Sequence, residues 1–310
     1  MIPWHGQDQF ASASEPVLRR PIQGLVNGGQ SRAVVGARVY VLQVNSSPYS
    51  KASISLLTSA TGNTPDKIGN YVLTTEVGGF SIAGDYTCTA GQQVYIYARG
   101  GSSGGDGDNP AIGLMTSLGA CPESGNFDTA APFIFVNEVT TVAAAYAMAG
   151  IATDATHTDS GAAHSPDTRI ATGTELASAA TGFAYAALPS SPEKKLPRSK
   201  IHTLANILSS CVNSNSPASV GCEMLFANSR SQGGTGTVPE DTASAAINIA
   251  RNPRANVAAL FNLQPKVLAP FAPALQSAPS DFTLSITSHD AEINVASAGS
   301  ATRSGWTRER

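Results

Sequence analysis

The stretch from Val94 to Met115, VYIYARGGSSGGDGDNPAIGLM, decides how the chain is read. Its first residues alternate as a strand does, and its last follow Asn109-Pro110, a cap and first-turn pair that predicts a helix ending at Gly119. Between them lies a glycine-rich loop with two formal motifs. Gly101-Ser102-Ser103-Gly104-Gly105 matches G-x-S-x-G, the strained turn that presents a nucleophilic serine in hydrolases. Asp106, Asp108 and Asn109 come within one residue of a calcium-binding glycine–aspartate repeat.

Neither motif stands up well by itself. A nucleophile elbow needs a helix starting on the serine, so that its first amides can hold an oxyanion. Gly104, Gly105, Gly107 and Pro110 keep one from starting at Ser103. Asp154, Asp159, Asp241, His202 and His289 complete a triad only as any long sequence would, so the chain is not read as an enzyme. Calcium takes about 6–8 oxygen ligands, which leaves Asp106, Asp108 and Asn109 a weak candidate beside a plain turn feeding the cap. The loop, residues 102–109, is read as a linker.

Upstream of it the period is two. IQGLV is a short strand, and ARVYVLQV places Val39, Val41 and Gln43 on one face and Arg38, Tyr40, Leu42 and Val44 on the other. YVLTT through Val77-Gly78-Gly79 into FSIAG predicts a hairpin, and QQVYIYA closes the set. Short strands with no helix between them argue for an antiparallel sandwich over 21–101. Downstream, PFIFV is a short strand, and Asn137 caps a helix with Val139, Val142, Ala143 and Tyr146 on one face. TELASAATGFAYAAL predicts another helix, and SSPEKKLPRS a proline-punctuated linker. Ser199 is expected to cap a helix facing inward through Ile201, Leu204, Leu208 and Cys211, with Cys222 in a short helix beyond. EDTASAAINIARN presents Ala243, Ala246, Ile247 and Ala250, RANVAALFNL restarts a helix, and DFTLSIT is a last strand. The expected fold is thus α+β and multidomain: a lead-in over 1–20, the sandwich, the linker, an Ala-rich helical domain over 110–287, and a patternless tail over 288–310.

Charged residues make up 13% of the chain, against roughly 25% in an average domain, and the formal net charge is −3. That gives no basic footprint for nucleic acid, and no apolar run is long enough to span a bilayer. Four cysteines allow three pairings; Cys88–Cys121 and Cys211–Cys222 are favoured because each pair sits within one region. Oxidised cysteines imply an oxidising compartment. The N-terminus, however, shows no signal-peptide core. The two observations leave open a cytosolic protein with free thiols and a chain that begins inside a longer one.

Gly24-Leu25-Val26, Val35-Gly36-Ala37-Arg38-Val39 and Thr74-Thr75-Glu76-Val77-Gly78-Gly79-Phe80 resemble the strand and hairpin motifs of carboxypeptidase regulatory-like, or transthyretin-like, β-sandwich modules. Glu76 stands where that family often has Asp. FVNEVTTVAAAYAMA, HTLANILSSCVNS, DTASAAINIARNPRANVAALFNL and PFAPALQSAPSDFTLSIT resemble the helical region of bacterial cell-envelope proteins that carry such a module in front. The resemblance implies an exported protein, a propeller of repeats beyond the C-terminus, and no established reaction.

Other candidate sites follow from side-chain chemistry. His157, Asp159, His164 and Asp167 share a polar loop and could ligate a transition metal, although nothing in their spacing holds them in place. Glu138 and Thr141 interrupt an apolar stretch, so the carboxylate is either buried with a raised pKa or placed in the first helical turn by the helix dipole. Tyr40, Tyr71, Tyr95 and Tyr97 could stack on sugar rings if exposed. No pattern implies a cofactor. The expected function is a non-enzymatic extracellular or cell-envelope structural or adhesion-like module that presents or spaces a neighbouring domain, with another protein or a surface polysaccharide as partner. The alternative is a carbohydrate-binding accessory module.

Overall fold

In β3 (Arg38–Gln43) and β7 (Gln93–Arg99) both sets of alternating residues are apolar or aromatic, so both faces of their sheet have to be covered. The computed structural model, which describes residues 21–45, 51–59, 64–83, 86–104, 107–131, 133–158, 173–287 and the backbone of 292–294, shows how this is done. The chain is mixed α/β with a β-rich N-terminal region. One sheet runs β4 (Ile54–Ser55), β3, β7 and β8 (Gly113–Ala120), with β5 (Val72–Leu73) also on β3, all antiparallel. In a second sheet β1 (Ile22–Gly28) is flanked by antiparallel β6 (Gly79–Ile82) and parallel β9 (Phe133–Val136), and β2 (Arg32–Ala33) folds back on its end.

Val39, Val41, Ile96, Ala98 and Leu114 of the first sheet share one apolar cluster with Ile22, Val26, Phe80, Ile82, Ile134 and Val136 of the second. On the opposite face, Tyr40, Leu42, Tyr95, Tyr97 and Met115 join a cluster built from the helices. Those helices are α1 (Glu138–Met148), α2 (Arg198–Val212), α3 (Val220–Asn228), α4 (Thr242–Arg251) and α5 (Val257–Phe261). Every residue of α1 is buried, and its run of alanines lets α2, α4 and β8 approach closely. The inward faces expected for α2 and α4 are all buried. Among the described residues no helix is long and apolar enough to cross a membrane.

Several expected elements differ. The segment after Asn109-Pro110 is not a helix. Asn109 Oδ1 accepts from Ala111 N at 3.1 Å, which closes one turn, and residues 113–120 then become β8 beside β7. Its alternation was masked because both faces are buried: Leu114 enters one cluster and Met115 the other. Strands β8 and β9, which lie beyond the expected linker, therefore belong to the two N-terminal sheets. The turn at Gly78 (φ +75°) forms, but it links two sheets instead of pairing β5 with β6. Thr74 is the cause, since its Oγ1 accepts from Ala37 N at 2.8 Å and donates to Val34 O at 2.6 Å.

The helix expected over TELASAATGFAYAAL stops after residues 173–176. Gly182 at φ +73° turns the chain, and Ala179 O accepts from Phe135 N at 2.7 Å along β9. SSPEKK is a strand, β13 (Ser191–Lys195), between β12 (Ala187–Leu188) and β14 (Ser285–Thr287). Within the segment expected to lack pattern, β15 (Glu292–Asn294) pairs with β14. Helix α2 starts at Arg198 with Pro197 at the cap position, so Ser199 does not cap it.

The outer edge of β8 would leave unpaired backbone groups inside the protein, where each costs about 1–3 kcal/mol. Threonines from two helix starts close it. Thr242 Oγ1 accepts from Gly113 N at 3.0 Å and donates to Gly113 O at 2.6 Å. Thr141 Oγ1 accepts from Met115 N at 2.8 Å, and Thr140 Oγ1 donates to Met115 O at 2.8 Å. Gly113 has to be glycine here, because a Cβ would run into the Asp241 carboxylate. Thr242→Val keeps the shape and orphans both Gly113 groups; urea denaturation is expected to show a loss of about 2 kcal/mol or more at unchanged m, with Thr242→Ser much milder.

Candidate functional site

The side chains singled out in the sequence fall into three places: beneath the helices, at the loop around Ser103, and in a cleft beside α4. Tyr95 and Tyr97 do share a face, but both are fully buried. The Tyr95 hydroxyl lies 2.8 Å from Ser53 Oγ and donates to Ala155 O at 3.0 Å; the Tyr97 hydroxyl donates to Asp241 Oδ2 at 3.1 Å. Burial pushes both phenols up in pKa. Tyr40 stacks on Tyr97 at 6.1 Å and bonds Asp66, while Tyr71 lies under the Arg38 guanidinium at 5.3 Å. The expected sugar-stacking role of Tyr95 and Tyr97 is therefore corrected, since helices cover the face that a sugar would need.

Ser103 is also buried, and its hydroxyl donates to Val212 O at the end of α2, not to an imidazole. No helix starts there. Ser102 pairs with Val35 through both backbone groups at 2.8 Å, and Gly101 at φ +85° allows Val35 O to come close. Asp108 accepts from Gly101 N, and Asn109 bonds Ala111 N and Ser214 O, so both are committed to the backbone. Asp106 lies outside the described residues, as do Asp159, His164, Asp167 and His289. Among the described residues no group of three acidic, histidine or cysteine side chains could hold a metal.

Cys88 is bonded to Cys121 and Cys211 to Cys222, with Cα–Cα distances of 6.0 Å and 4.4 Å. The first bond ties the loop after β6 to the end of β8, and the second pins the corner between α2 and α3.

Glu138 follows the Asn137 cap, which accepts from Thr140 N at 3.0 Å, and it is completely buried. Glu138 Oε1 accepts from Gly29 N at 2.9 Å, while Oε2 has no partner among the described residues. Burial raises its pKa to about 8, against the pull of its own and the Gly29 amides. Nearby Asn213 Oδ1 is also buried without a partner. A Cβ at Gly28 would stand 2.6 Å from that atom and 3.6 Å from Glu138 Oε1, so Gly28 leaves room for both. Thr141 has a backbone role: besides Met115 N it serves Asn137 O at 2.6 Å.

The cleft holds about 510 Å³ between the turn joining β10 (Ala152–Asp154) to β11 (His157–Thr158), the 231–240 loop and α4. His157 Nδ1 lies 2.9 Å from Asp154 Oδ2. Burial would raise the Asp154 pKa, but hydrogen bonds from His157 and Thr156 outweigh it and hold the carboxyl below its usual range. Asp241, 4% exposed, caps α4 through Ser244 N at 2.9 Å, and burial raises its pKa despite that bond. The sequence pattern sets His157 beside Asp159 in one polar loop, whereas its partner in the fold is Asp154, three residues before it. The D-x-x-H spacing across a tight turn was the available signal.

Comparison with known proteins places the chain in no group: no family model matches it, and no curated protein or solved structure is significantly similar.

The Glu138 environment makes stability depend on pH. An ordinary Glu titrates near 4.3, so between about 4.5 and 8 the folded state keeps a proton that the unfolded state releases, and stability falls as pH rises through that window. Denaturation measured from pH 5 to 8 should show that decline in the wild type and a flatter profile in Glu138→Gln; parallel profiles would contradict it.

Proposed function

We propose that the chain is a non-enzymatic structural module of the extracellular space or cell envelope, which presents or spaces a neighbouring domain or partner. The observation that carries this reading is the pairing of all four cysteines, for disulfides hint at an oxidising environment. The fate of the reactive side chains supports it too. The Ser103 hydroxyl and the tyrosine hydroxyls engage internal groups, as interactions that hold a fold together do.

On this reading the β-rich region is a transthyretin-like sandwich and the helices are a second domain resting on it. Supporting the first part, the two sheets share an apolar cluster, Gly78 takes the positive φ of the motif, and Phe80 is buried against Gly24. The partner would be a protein domain or a surface polysaccharide. The carbohydrate-binding alternative loses its stacking platform with the burial of Tyr95 and Tyr97.

Peptide mapping of the native protein without reduction is expected to yield Cys88–Cys121 and Cys211–Cys222 peptides. Reduction should lower the melting temperature, since each bond is worth roughly 2–4 kcal/mol. Four alkylatable thiols in protein taken from its cell would overturn the extracellular assignment.

A further inference from the structure

The cleft beside α4 contains groups that the fold does not use. Along α4, Asp241, Ser244, Asn248 and Arg251 recur at helical spacing and line the cleft, while Ala243, Ala246, Ile247 and Ala250 face the core. The carboxylates around it already have partners: Asp154 has His157, Glu240 has Arg99 at 3.2 Å, and Asp241 has Ser244 and Tyr97. Arg251 has no ion pair among the described residues, so it is the cation of this cleft whose charge is not offset by a carboxylate within reach.

Two neighbouring groups also lack a partner among the described residues. The hydrogen bond that Nδ1 donates to Asp154 fixes the His157 ring and leaves Nε2 without a partner among the described residues. Asn248 is 4% exposed and donates through Nδ2 to Ser229 O at 2.9 Å, while its buried Oδ1 has no partner among the described residues. A buried acceptor without a donor costs free energy unless something fills it. The walls carry few apolar side chains and several amide and hydroxyl groups, among them Gln232 and Thr237, which excludes a greasy ligand. Three carboxylates close by disfavour a doubly charged phosphate, whereas one free guanidinium matches one carboxylate in bidentate geometry.

We propose that this cleft binds a small hydroxylated carboxylate of the uronic-acid type, its carboxylate on Arg251 and its hydroxyls on His157 Nε2 and the Gln232 amide, with Asn248 in the wall beside them. Recognition of this kind needs no aromatic platform, so it does not depend on the buried tyrosines. It is also independent of the structural role proposed above.

The test is calorimetric and NMR titration of the full chain with D-galacturonate and, as its neutral counterpart, D-galactose. Galacturonate is expected to bind with a Kd on the order of 1 mM or tighter and to shift the amides of Ala155, Gln232 and Ser244; galactose should bind at least tenfold more weakly. Arg251→Gln should weaken galacturonate at least tenfold without touching galactose, and His157→Gln should weaken both sugars. Arg251 is exposed, so an unchanged melting temperature will confirm that its variant is folded. Equal affinity for the two sugars, galacturonate binding that survives Arg251→Gln, or no shift of the cleft amides with either sugar would each overturn the proposal.

Discussion

A sheet buried on both faces cannot also leave an edge of its backbone unpaired, and the placement of the helices follows from that constraint. Strand β8 is such an edge. Its exposed-side amides and carbonyls at Gly113 and Met115 are met by the hydroxyls of Thr140, Thr141 and Thr242, which stand at the starts of α1 and α4. Threonine suits this position because one hydroxyl can accept from an N–H and donate to a carbonyl at once. Each helix start thereby replaces a missing strand. The same contacts set the depth at which Ala-rich α1 lies against the sheet, and they bring Asp241 over Gly113, where only glycine fits.

Buried polar groups extend this logic inward. Asp241 caps α4 and accepts from Tyr97, joining the helix start to β7. Asn206 makes reciprocal bonds with the Phe271 backbone at 2.9 Å and 3.0 Å, and His202 bonds Pro273 O at 3.0 Å, so α2 holds the proline-rich segment in place. Glu138 is the exception. Its carboxyl sits where β1, α1 and α2 converge, with one oxygen bonded and the other not. Neutrality is the inexpensive answer to that burial, which is why its pKa rises instead of an ion pair forming.

Much of this was legible in the sequence. The alternation of β3 and β7, the inward faces of α2 and α4, the Asn137 cap and the cysteine pairing each rest on a local signal that the fold keeps. The failures share one cause, a local pattern overruled by a distant partner. Asn109-Pro110 does close a turn, yet β7 claims the residues after it as a strand. Thr75 to Gly79 does turn, yet Thr74 anchors one arm to Val34 and Ala37 and separates the two strands. Tyr95 and Tyr97 share a face as the period requires, but the period cannot say which face a helix will cover. The cleft was nearly invisible, because its groups come from residues far apart in the chain. Only the Asp154–His157 turn had a local signal, the D-x-x-H spacing, and the sequence reading set His157 with Asp159 instead.

The account stands or falls on the closed edge of β8, and native-state hydrogen exchange reads it directly. The amides of Gly113 and Met115 should exchange only with global unfolding, at the same free energy as the amides of β7. Exchange of those two amides as fast as in an open edge strand, while β7 stays protected, would contradict it.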